Sequence, residues 1–173
     1  MRSFYFVSFL CLALLSVPAL GADRSERVKA YTSEFVSRGF EGLPHLSGAI
    51  EDVLMRLPDE VFDNVADREE PVLFTEYFDK GKARLANSAS VRVLPEDPPT
   101  FTRGFYLIKL SGELEKYPTA AKAVIAHEIA HRVTQYAHSK QADELEKAVN
   151  RLIRRWGFGR ELQEARKALS GGV

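Results

Sequence analysis

The chain has 173 residues, the size of one domain. Lys plus Arg number 24 and so do Asp plus Glu, giving a formal net charge of zero, which excludes the cationic excess of a nucleic-acid binder. A 45% hydrophobic fraction excludes a disordered chain, and a single cysteine excludes a disulfide framework and a cysteine-based zinc site.

In chain order, residues 1–22 read as a secretory signal peptide. Arg2 supplies the positive start, and Phe4 to Leu15 is an almost unbroken apolar run. Ser16, Pro18 and Gly21 then break it, and Ala19 and Gly21 are the small residues of a cut after Gly21; a cut after Ala22 is nearly as good. The run approaches the length of an uncleaved membrane anchor, but Pro18 and the small residues fit processing better. Cys11 lies inside it, so the processed chain carries no cysteine and tolerates an oxidising compartment. The expected location is secreted or periplasmic. Residues 23–173 form a single domain, and nothing in them is apolar enough to span a bilayer.

Val28, Tyr31, Phe35 and Val36 recur at helical spacing between Asp23 and Phe40, with Gly39 ending the pattern. A second helix is expected over Ser47 to Arg56, with Ile50, Val53 and Leu54 on one face. Pro44, His45 and Leu46 before it read as loop. Pro58 can open a short helix, and Asp67 to Glu70 read as a solvated turn. The middle is β-rich: 71–78, 90–95 and 101–110 read as strands, with 95–100 a loop and Gly104 a bulge or turn point. Helices then return. Pro118 suits a first turn, and 119–137 carries Ala, Val and Ile on nearly every side, so it is buried. A further helix covers 141–156, closed by Gly157, with Trp156 and Phe158 as core anchors. A short amphipathic helix covers 160–169. The arginines of these last helices, interleaved with Glu161 and Glu164, read as a solvated face. The order is helices, a small sheet, then helices: an α+β domain.

His127-Glu128-Ile129-Ala130-His131 is H-E-x-x-H. On a helix the two histidines lie one turn apart on one face, so both imidazoles can reach one metal ion. Glu128, on the adjoining edge, can take the proton of a water held at the ion's open position. Two buried histidines flanking a carboxylate are costly to leave unsatisfied, and a metal satisfies them. Zinc is the default for imidazole and carboxylate donors.

From Phe101 to Phe158 the chain resembles the zincin metallopeptidases, specifically small gluzincin-like proteins. The resemblance rests on the strand 106–110, on AVIAHEIAH (123–131), and on a downstream helix ending in WGF (156–158). In such families that helix carries E-x-x-x-[ND], and Glu146 to Asn150 fits. The resemblance implies a zincin-like fold: a small, mostly antiparallel sheet packed on the active-site helix, with flanking helices. It also implies a peptide or protein substrate lying along the strand Tyr106–Leu110 as an added edge strand.

The third ligand is also argued from geometry. If 119–137 and 141–156 form an antiparallel pair turning near Ser139, a metal between the histidines meets the second helix at about 146–150. Glu146 is then the third ligand and Asn150 its partner or an orienter of a histidine. Asp143, one turn earlier on that face, and His138 are the rivals; Glu144 points elsewhere. Tyr136 or His138 could serve a developing oxyanion, and the sequence does not choose between them. Two functions remain open. One is a secreted or periplasmic zinc-dependent metallopeptidase-like hydrolase with Glu128 as base. The other is a zinc-containing binding or structural protein of the cell envelope with little or no proteolysis, which the small size supports.

Overall fold

The computed structural model describes residues 23–77, 85–93, 103–134 and 142–170. The expected signal peptide, the loop 95–100, Tyr136 and His138 lie outside these residues. The elements are α1 (Arg24–Phe35), a 3-10 helix (Arg38–Gly42), α2 (Pro44–Arg56), α3 (Asp59–Val65), β1 (Val72–Tyr77), β2 (Ala86–Val93), β3 (Arg103–Ser111), a second 3-10 helix (Gly112–Lys116), α4 (Pro118–Thr134), α5 (Ala142–Arg155) and α6 (Gly159–Ser170). The α+β expectation holds. No described helix is long and apolar enough to cross a membrane.

The sheet departs from expectation in two ways. Its order is β1-β3-β2, with β1 parallel and β2 antiparallel to β3, so it is mixed and not mostly antiparallel. The strand holding Tyr106–Leu110 is therefore central, and β2 is an edge among the described residues. Apolarity explains the placement. Tyr106, Ile108 and Leu110 are fully buried, and a strand bonded on both sides suits them. β2 reads ANSASVRV, polar enough for an edge. Gly104 forms no bulge. It pairs with Arg92 in an unbroken ladder, where a side chain would press on the Val91 carbonyl oxygen at 3.1 Å.

Two helix ends moved for tertiary reasons. α1 stops at Phe35 because Val36 turns extended and bridges Phe74, and the Ser37 amide donates to the Phe74 carbonyl at 2.9 Å. Phe40 reaches the core from the following 3-10 helix. α2 starts at Pro44 because a distant carboxylate caps it. Glu115 accepts from the His45 amide at 3.1 Å and the Leu46 amide at 2.8 Å. His45 is thus exposed in a helical first turn and not in a loop.

α4 sits in the middle of the molecule, against α2, α5, α6 and the sheet. Its small residues permit this. Ala120 and Ala123 let α6 approach through Leu162 and Ala165. Ile125 and Ile129 enter the main core with Leu46, Ile50 and Leu54 of α2. Burying each such Leu or Ile contributes about 1.5–3 kcal/mol, so α4 is fixed in place before any ligand is considered. After α5, Gly157 takes φ 87°. The Phe158 amide then bonds the Ile153 carbonyl and the Gly157 amide the Arg154 carbonyl, which ends the helix and seats Phe158 and Trp156 in the core as expected.

Candidate metal centre

α4 presents His127 and His131 one turn apart, and their Nε2 atoms lie 3.0 Å from each other. The imidazole planes are nearly perpendicular at 76°, so both nitrogens can aim at a single point. α5 supplies Glu146. Its Oε1 is 3.2 Å from His131 Nε2 and its Oε2 is 3.5 Å from His127 Nε2. Bonds of about 2.05 Å in a tetrahedron give edges of about 3.3 Å. The Nε2–Nε2 separation is close to that edge and one Glu146 oxygen faces each ring, so the three side chains can close on one four-coordinate divalent ion with a position left over. Protonation fits as well. Burial, then the neighbouring His131 ring, push His127 below the usual imidazole range, against the pull of the Glu146 and Glu128 carboxylates. A neutral ring is the form that binds metal.

Among the described residues, His127, His131 and Glu146 are the only such group of three. Asp143 and Glu144 lie exposed in the first turn of α5 and do not join it. Asn150 orients neither histidine. Its amide donates to the Glu146 backbone carbonyl at 2.8 Å, within the helix.

Glu128 stands beside the donor set without belonging to it. Its Oε2 accepts from the Ser88 hydroxyl at 2.5 Å, and Tyr106 donates to Ser88 Oγ at 2.9 Å. Burial first, and the nearby Glu128 charge, raise Tyr106 above the usual phenol range against the Ser88 hydrogen bond and the Arg132 charge, so it stays a donor. Glu128 Oε1 has no hydrogen-bond partner among the described residues. Next along α4, Arg132 is 5% exposed and bonds both the Glu70 carboxylate (3.1 Å) and the Glu70 carbonyl (3.0 Å). The turn that read as solvated thus contributes a partner that holds the histidine helix down.

An apolar cavity of about 330 Å³ opens on His127 and Glu128. Ala123 and Val124 of α4, Leu162 and Ala165 of α6, and Leu85 and Ala86 at the start of β2 line it, with Arg166 at its wall. Sequence reading missed Ser88, the part played by the Tyr106 hydroxyl, and the α6 and β2 residues of this lining. Ser88 fell outside the expected strand, and neither it nor Ala165 carries a motif. Only the fold brings them to α4.

No protein-family model, curated protein or solved structure matches the chain.

Proposed function

We propose that the chain is a secreted or periplasmic zinc-dependent metallopeptidase-like hydrolase of zincin type, with His127, His131 and Glu146 as metal ligands and Glu128 as general base. The observation that carries this is the three-donor cluster on α4 and α5 with a carboxylate next to it that is not a donor. A structural zinc site closes all four positions with protein ligands and has no use for a base alongside. Zinc, when bound, supplies Lewis acidity toward a carbonyl oxygen. The chain's own residues do the rest. Glu128 takes a proton from the attacking water and delivers it to the departing amine. β2, an edge strand among the described residues and beside the site, offers backbone groups to an extended peptide. This replaces the Tyr106–Leu110 strand as the docking edge. The cavity suits an aliphatic or aromatic substrate side chain next to the bond that breaks.

The test is metal analysis of the processed protein followed by digestion of a peptide library with and without chelator. Zinc at one per chain and chelator-sensitive cleavage next to apolar residues are expected. Bound zinc with no cleavage would hand the reading to a zinc-containing binding protein. Export is tested by intact mass, which should place the N-terminus of the exported protein at Ala22 or Asp23.

A further inference from the structure

Along the core-facing side of the sheet, β2 places a hydroxyl at Ser88, paired with fully buried Ile108 of β3. Ser88 is half-buried at this position, where an unsatisfied hydroxyl would be costly. Both ends of that hydroxyl are engaged. An ionised carboxylate can only accept, so the single Ser88 hydrogen goes to Glu128 Oε2, 2.5 Å away. The Ser88 oxygen must then accept, and it does so from the hydroxyl of Tyr106, a fully buried residue whose ring lies 5.6 Å from the Arg132 guanidinium carbon.

We infer that Ser88 is a positioning residue for Glu128 and that Tyr106 sets the direction in which the Ser88 hydroxyl donates. Pinning Oε2 fixes a side chain that would otherwise rotate freely, and leaves Oε1 to meet the proton it must remove. The inference rests on the hydrolase reading for its purpose, though the positioning itself does not. It also ties two functions to one strand. β2, an edge strand among the described residues, offers its backbone to substrate while one of its side chains aims the base.

Two measurements test this. The first is unfolding by denaturant, without added metal, of Ser88→Ala, Glu128→Ala and the double variant. Ser88→Ala is expected to lower the midpoint more in the wild-type background than where Glu128 is already alanine, since there only the bond from Tyr106 remains to be lost. Equal shifts in both backgrounds would overturn the inference. The second uses zinc-loaded protein and the best peptide from the library. Ser88→Ala is expected to lower kcat by up to about 100-fold with KM and zinc content unchanged. Ser88→Thr, which restores the hydroxyl, should recover most of the loss, and Tyr106→Phe should lose less than Ser88→Ala. A raised KM with kcat intact would make Ser88 a substrate contact and sink the idea, and so would failure of threonine to rescue. If the wild-type protein cleaves nothing, the hydrolase reading fails alone, and the unfolding comparison still decides whether Ser88 holds Glu128.

Discussion

Glu146 and Asp143 share a helix, yet only Glu146 lies within 3.5 Å of both imidazoles. Replacing Glu146 by alanine should therefore weaken zinc binding by more than about 100-fold, the upper range for loss of an outer partner. Asp143→Ala should leave it near wild type. Competition with a chelating dye reads both. Glu128→Gln is the complementary case. It keeps the shape and removes the base, so zinc content should hold while hydrolysis falls by roughly 10²–10⁴-fold. Lost zinc would make Glu128 a ligand. His127, Glu128 and His131 were legible because their relation is local: helical periodicity alone puts the histidines on one face and Glu128 on its edge, whereas Glu146 also needed the pairing of two successive helices. Ser88 was not legible. Its meeting with Glu128 depends on the β2–β3 register and on how α4 sits over the sheet, and neither is written in nearby residues.

Helix ends show which local signals suffice. Gly157 ended its helix as read, because a residue at φ 87° is strongly biased to glycine whatever packs around it. Only the tip of the Arg56 side chain, at 4.0 Å, approaches the place where a Cβ would sit. Gly157→Ala should thus cost backbone strain and no clash, about 1–2 kcal/mol. Thermal unfolding should drop by a few degrees, with zinc stoichiometry unchanged. The N-terminus of α2 was misread for the opposite reason. Its cap, Glu115, arrives from the 3-10 helix that follows β3, far along the chain, and no neighbouring residue announces it. The same holds for α1, which Val36 abandons for a bridge to β1.

Across the whole molecule, the order of helices and strands was enough to read an α+β domain, since periodicity changes twice along the chain. The pairing of β1 with β3 was not readable, because it skips the strand between them. Layers far apart in sequence are also tied by charge. Arg56 of α2 bonds Glu161 of α6 at 2.7 Å and the Gly157 carbonyl at 2.9 Å, and lies 4.1 Å from the Phe158 ring centre. Desolvation alone would raise the Glu161 carboxyl, but the Arg56 hydrogen bond and charge outweigh it and hold it below the usual range. A depressed carboxylate contributes stability that is complete above its unfolded pKa and is lost as pH falls through the folded one. Glu161→Gln should accordingly be less stable than wild type at pH 7, by up to about 1 kcal/mol for a partly exposed pair. The gap should close in acid, as thermal melts across pH would record.

The parallel pairing of β1 with β3 also dictates an order of folding events. The β2–β3 ladder can close from Val93 and Arg103 with only residues 94–102 between them. Every β1–β3 partner pair, from Val72 and Tyr106 to Tyr77 and Ser111, must enclose all of β2 and part of β3 first. Closing the longer loop costs more chain entropy and returns nothing until it is complete. Two amides report on the two events: Ser111 bonds the Leu85 carbonyl on the β2 side, and Tyr106 bonds the Pro71 carbonyl on the β1 side. In pulse-labelled hydrogen exchange during refolding, Ser111 should gain protection before Tyr106. Tyr106 is also the residue that steadies Ser88, so the base would be the last part of the site to come to rest.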